Sequence, residues 1–410
     1  MKNKYFDIAI DCDTGCIKSI SHPEDEHHMN WCSSDGYWGK IYSMNRLRFE
    51  DEFKNVELTS FSADDNKSTS IYSNDVLSVT VHRFFKENGN FSEKYIIKNL
   101  TNTVVCVNRE KFGIELPFND RYTNADECIT NHCNTHIWCG HNTAWVNALR
   151  MGPSDINLGL VLTKGALDSY GQNNCWSNTR GIFIINPSTF FLSAGDSYEI
   201  EWELLWHNGT EDFFGKLSEF RNTILINADN YTFFEGETIE FEVLMNNTAD
   251  FDKIKVVCKE DELPIYQKDN IAKVRYLPES TGDYRFYVYY NDNLYTFADF
   301  TVKTSFEKLV ENRVEFIVNN QQYSDKNSPL YGAYLIYDNQ TESMYFDDSF
   351  PDHNACRERT GMALLLTKYL QFKYDEKIMN SLKLYLEFAE REFYDSKSGE
   401  IYTQSEKTAI

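Results

Sequence analysis

Between Asp126 and Gly152 the chain reads DECITNHCNTHIWCGHNTAWVNALRMG, with three His, three Cys and two Trp in one short run. Three kinds of chemistry use such residues. A metal site would draw on His132, His136 and His141 with Cys128, Cys133 and Cys139. His132 and His136, with three residues between them, have the spacing of half a zinc site, yet no matching C-x2-C pair exists elsewhere to complete it. The reading is therefore no metal and no cofactor. A redox site needs a low-pKa thiol, usually in C-x-x-C, whereas these Cys are separated by four and five residues. A sugar-contact surface needs flat apolar faces for ring C–H groups and directional donors for hydroxyls. Trp138 and Trp145 offer the first; His136, His141, Asn142 and Asn134 offer the second. The plain alternative is that Cys and Trp pack a core and each His bonds backbone. The sugar-contact reading is preferred.

A second cluster comprises Asp347, Asp348, Asp352, His353, Arg357, Glu358 and Arg359. Glycoside hydrolysis needs two facing carboxylates, about 5–5.5 Å apart for retention and about 6.5–9.5 Å for inversion. Asp347, Asp348 and Glu358 are the catalytic candidates. Arg357 and Arg359 have the planar fork that grips a uronate carboxylate. The competing structural reading makes Asp352 a helix cap and Glu358 a solvated surface residue.

The elements that must position these groups are mostly strands. Of the 410 residues, 15% are aromatic, which favours sheets. A net charge of -23 disfavours nucleic acid and anionic membrane surfaces as partners. Asp7 and Asp11 interrupt any apolar leader, so the expected location is the cytoplasm.

Residues 1–227 alternate as strands, with LSVTVHRFF, EKYIIKNL, NLGLVLT and SYEIEWELLWH as the clearest, and a short helix is predicted near 213–224. This predicts a large β-sandwich. Residues 228–303, with GETIEFEVLM, KIKVVCKE, AKVRYL and GDYRFYVYY, suit a smaller immunoglobulin-like sandwich. From 304 to 410 the period becomes helical. Thr304 and Glu307 suggest a capping box, and Phe306, Leu309, Val310, Val314 and Ile317 recur at helical spacing. Two further helices carry Met362, Leu365, Leu366 and Tyr369, then Ile378, Leu382, Tyr385, Leu386, Ala389 and Phe393. YDNQTESMY at Tyr337 returns as YDSKSGEIY at Tyr394, a period of 57 (394 minus 337), the mark of a repeated supersecondary unit.

This order of elements resembles the six-hairpin glycosidase superfamily, in which a super-sandwich leads into an (α/α)6 toroid. DCDTGCIKSISHPED, FSEKYIIKNLTNTVV, NREKFGIELPFND and LGLVLTKGALDSYG are similar to segments of such sandwiches, and Asp347–Gln371 to the entry of a first inner helix. The resemblance implies a carbohydrate-active protein that hydrolyses oligosaccharides by carboxylate acid/base catalysis. One alternative on the same architecture is a uronate-oligosaccharide lyase, with His136 and Tyr345 moving protons and Asn142 or Arg357 neutralising the uronate. Another is a non-catalytic sugar-binding or assembly fragment. A full toroid has six hairpins and about one and a half are present, so the expectation is a truncated toroid completed by a second chain or by self-association. Exposed Leu364, Leu365, Leu366 and Tyr369 would mark the open face.

Overall fold

A computed structural model of the chain describes residues 1–43, 56–172, 180–220, 223–246, 250–268, 271–345 and 360–401. It is a multidomain, β-rich fold with two compact units. One holds Met1–Tyr231, Thr238–Leu277 and Asp283–Phe300; the other holds Thr232–Glu237, Pro278–Gly282 and Thr301–Ile410. No helix among the described residues is long and apolar enough to cross a membrane.

In the first unit an eight-stranded antiparallel sheet runs, edge to edge, through Cys133–Gly140, Thr143–Arg150, Asn157–Lys164, Ser197–His207, Phe91–Asn99, Leu77–Phe85, Lys67–Ser73 and Glu57–Ala63. A four-stranded sheet of Leu167–Gln172, Ile182–Pro187, Phe112–Pro117 and Ile41–Ser43 supplies the other face of one continuous core. The period of two explains which residues meet there. Leu77, Val79 and Val81 are buried on one strand, and Tyr95 and Ile97 on its neighbour.

The same alternation carries two charges inward. Arg83 and Glu93 lie directly opposite in the strand register, and both are fully buried. Arg83 Nε donates to Glu93 Oε1 at 2.8 Å; Tyr95 donates to the same oxygen at 3.2 Å. Trp38 and Trp202 indole N–H groups donate to Glu93 Oε2 at 2.7 and 3.0 Å. Burial is the largest single influence and disfavours the Arg83 charge, but Glu93, with Tyr95 and Tyr72 beside it, outweighs burial and holds the guanidinium pKa above its ordinary value.

A second pair of sheets follows. Ile224–Asn227, Ile239–Met245, Ile271–Tyr276 and Ile265–Lys268 form one; Thr232–Phe234, Asn293–Lys303, Gly282–Tyr290, Ile254–Cys258 and Asp261–Glu262 form the other. Phe241, Phe286 and Phe300 pack together at 5.1–5.4 Å between ring centres. The helix foreseen near 213–224 is Thr210–Leu217 instead. Ile224 belongs to a strand, with its N–H donated to the Thr143 hydroxyl at 3.0 Å.

The second unit contains helices Phe306–Phe316, Thr360–Phe372 and Glu376–Phe393. The first is capped by Ser305, whose side chain accepts from Lys308 N, and not by Thr304, whose hydroxyl donates to Glu235. Phe306 and Leu309 are exposed; the helix buries Val314 and, one turn on, Ile317. Of the four residues foreseen as an open apolar face, Leu364 is exposed, Leu365 and Tyr369 are half-buried, and Leu366 is fully buried. Leu366, Ile378, Leu382, Tyr385 and Phe388 share a core with Tyr334, which stacks on Tyr385 at 4.6 Å.

The 57-residue repeat is geometrical as well as textual. Tyr337 pairs with Met344 and Tyr394 with Ile401, positions 57 apart in each case. Asp338 accepts from Gln340 N (2.7 Å), and Asp395 from Lys397 N (2.8 Å), the same Asx turn twice. Both turns place a residue at positive φ, Glu342 (51°) and Gly399 (78°). Glycine tolerates that conformation freely.

Burial sets an acid limit on the first unit. His22, His132, His141 and His207 all have pKa values lowered from 6.5, primarily by desolvation. Each group binds its proton more weakly folded than unfolded, so its contribution is complete above 6.5 and is lost as pH falls below it. The melting temperature should therefore begin to drop just below neutrality, before the carboxylates titrate, and His207→Gln should flatten that slope. A melting temperature constant down to the carboxylate range would contradict this.

Candidate functional site

The hairpin Cys133–Gly140/Thr143–Arg150 forms one edge of the large sheet. Its register sets Trp138 directly opposite Trp145, which places the two indoles on one face. Trp138 donates its N–H to Thr296 Oγ1 (3.1 Å) and packs on Phe297 with ring centres 4.8 Å apart. Trp145 meets Phe213 and Phe214 edge-on at 5.7 and 5.3 Å. Gly140 permits this approach: a Cβ there would lie 2.4 Å from the Trp138 indole nitrogen and 2.7 Å from Thr296 Oγ1.

These contacts bound a cleft of about 730 Å³ within the first unit, a size that suits a small ligand. Trp138, Trp145, Phe214, Tyr231 and Phe297 form aromatic walls, and Thr210, Glu211, Asn227 and Asp299 supply polar groups. Arg285 holds Asp299 in a fork, 2.7 Å at each contact, while its guanidinium lies 4.3 Å from the Phe297 ring centre. A surface of this kind binds flat apolar faces flanked by hydroxyls.

The structure brings together only part of the group foreseen from sequence. Trp138 and Trp145 line the cleft. His141 sits in the hairpin turn at φ 73°, with Nδ1 2.9 Å from Ser188 Oγ and Nε2 4.0 Å from Asp168. Asn142 hydrogen-bonds Tyr295, partly offsetting the burial that raises the tyrosine pKa. His136 is exposed on the edge strand, two residues from Trp138 and therefore on the same strand face. Asp347, Asp348, Arg357, Glu358 and Arg359 lie outside the described residues.

His132, His136 and His141 do not converge. Among the described residues the donor group that could hold a metal is Asp11, Cys12 and Asp13, on a surface turn. The thiols of the opening stretch are deep in the core: burial pushes Cys133 well up and Cys139 up to about 12, which keeps both protonated. Thr296, Phe297, Asp299, Glu211 and Tyr231 were not foreseen as site residues. The alternation of LYTFADFTV marks a strand, but nothing local shows that Thr296 on its buried face and Phe297 on the other both reach a hairpin some 150 residues earlier.

No family model matches the sequence, and no curated protein matches it. Among solved structures, the polysaccharide lyase BACCELL_00875 superposes with a TM-score of 0.87 at 29% identity, covering 99% of this chain and 63% of that protein. This chain thus spans less than two thirds of that protein's length. The heparan sulfate lyase HepC from Pedobacter heparinus (TM-score 0.26, 11% identity, 51% of this chain and 28% of that one) and heparinase III (0.28, 11%, 56% and 34%) superpose only weakly.

Proposed function

We propose that this chain belongs to a carbohydrate-active enzyme that cleaves a uronate-containing polysaccharide by elimination, with the sandwich cleft contacting the glycan. One observation carries the reading: likeness to a polysaccharide lyase at 29% identity over 99% of the chain. It favours elimination over the acid/base hydrolysis that the sequence resemblance implied. A lyase must remove the proton α to the uronate carboxyl, neutralise that carboxylate and protonate the departing oxygen. His136 is an exposed imidazole on the first unit, and Tyr345 a phenol on the hairpin of the second; each has suitable acid/base chemistry. Arg357 is the cation suited to the carboxylate. The Asn142 amide is engaged by Tyr295, so it is a weaker candidate for that task.

The architectural part of the proposal is a super-sandwich at 1–227, an immunoglobulin-like module at 228–303 and the first hairpins of an (α/α)6 toroid from 304. The repeated Tyr-Asp hairpin after successive helices supports the last.

The test is incubation with a panel of uronate-containing polysaccharides, following ultraviolet absorbance and reducing ends together. Elimination gives both, because the new double bond is conjugated with the carboxylate. Reducing ends without absorbance would mean hydrolysis. Sugar binding with neither signal would leave the non-catalytic reading.

A further inference from the structure

We infer that the cleft lined by Trp138, Trp145, Phe214, Tyr231 and Phe297 takes an uncharged saccharide and excludes uronates. This deepens the carbohydrate reading above and rests on it. Five aromatic side chains line the cleft, two of them fixed by their own contacts: Trp138 by Thr296 and Phe297, Trp145 by Phe213 and Phe214. Rigid rings lose little entropy on binding and match the apolar face of a pyranose.

The charges decide which pyranose. The lining residues with ionisable acids are Glu211 and Asp299; Lys and Arg are absent from the lining among the described residues. The Arg285 guanidinium is engaged by Asp299 through Nε and one terminal nitrogen and lies against the Phe297 face. A uronate entering here would bring a carboxylate towards Glu211, and towards an Asp299 whose charge Arg285 already balances, in a protein of net charge -23, with no lining Lys or Arg among the described residues to meet it. A neutral sugar meets no such opposition. Carboxylate oxygens of Glu211, the Thr210 hydroxyl and the Asn227 amide accept and donate to its hydroxyls. The substrate class that follows is a heteropolysaccharide in which uncharged units accompany the uronates, the former held at the sandwich and the latter cleaved.

Calorimetric titration of the full chain with neutral oligosaccharides of several backbones, and with uronate oligosaccharides of equal length, tests this. Expected are binding of at least one neutral series, little changed by salt, and a loss of about tenfold or more in affinity on Trp138→Ala. Phe297→Ala should give a loss in the same direction, which guards against a folding defect peculiar to the first variant; a melting curve accompanies both. Absence of neutral binding, neutral binding indifferent to both substitutions, or uronate binding abolished by Trp138→Ala would each overturn the inference. Elimination activity is scored separately. Activity without neutral binding sinks the inference alone, and neutral binding without activity sinks the elimination reading alone.

Discussion

Glu93→Ala should lower the stability of the sandwich unit by about 3–5 kcal/mol, the range found when one partner of a buried ion pair is removed. The carboxylate is the common acceptor for four donors: the Arg83 guanidinium, the Tyr95 hydroxyl and the Trp38 and Trp202 indoles. Deletion leaves a fully buried cation and three unpaired donors, each with its own desolvation cost. Arg83 would retain only its contacts to the Gly15 carbonyl and the Ser70 hydroxyl. The pair itself is not a large net source of stability, since both charges were taken out of water to form it. The double variant Arg83→Met with Glu93→Leu should therefore recover much of the loss. Denaturant unfolding followed by near-ultraviolet dichroism measures all three proteins. A loss below about 1 kcal/mol for Glu93→Ala, or a double variant no better than the single, would show that the network relaxes or admits water.

That network was readable in principle. In LSVTVHRFF the inward phase set by Leu77, Val79 and Val81 leads to Arg83; in FSEKYIIKN the phase of Tyr95 and Ile97 leads back to Glu93. A charge at an inward position is the signal, and two facing each other show how the cost is met. The strands, the change to helical period after Lys303 and the Tyr-Asp repeat were legible for a related reason, since each depends on short-range periodicity. The cleft was legible by half. Trp138 and Trp145 stand seven apart across a two-residue turn, so their pairing is local. Thr296, Phe297 and Asp299 reach them only through tertiary contact, and alternation along the Asn293–Lys303 strand says which face they occupy, not what lies opposite. The sulfur and imidazole groups misdirect for the opposite reason: close in sequence, they are sent apart by the strand and its turn, Cys133 and Cys139 into the core and His136 to solvent.

Phe388→Ala should cost the helical unit about 3–5 kcal/mol while leaving the large sandwich unchanged. Phe388 is fully buried in the core that Leu366, Leu382, Tyr385 and Tyr334 share. Its ring lies 5.3 Å from that of Phe393 and 6.1 Å from that of Tyr385, and the Arg391 guanidinium is 5.7 Å from its centre. Truncation removes these contacts and opens a void between helices that can close only if Glu376–Phe393 shifts along Thr360–Phe372. Tyr385 would then lose the geometry that stacks it on Tyr334, and Ser381 its 3.0 Å bond to the Tyr334 hydroxyl. Proteins are stable by a margin of only about 5–15 kcal/mol, so a core has little to spare against a loss of that size. The sandwich core draws on other residues altogether. Hydrogen exchange resolves the two: amides of Glu376–Phe393 should lose protection by several orders of magnitude, and those of Leu77–Phe85 should exchange as in the parent. Equal loss in both segments would mean that the two units unfold as one cooperative block, and unchanged exchange in the helices would mean that the site collapses around alanine at little cost.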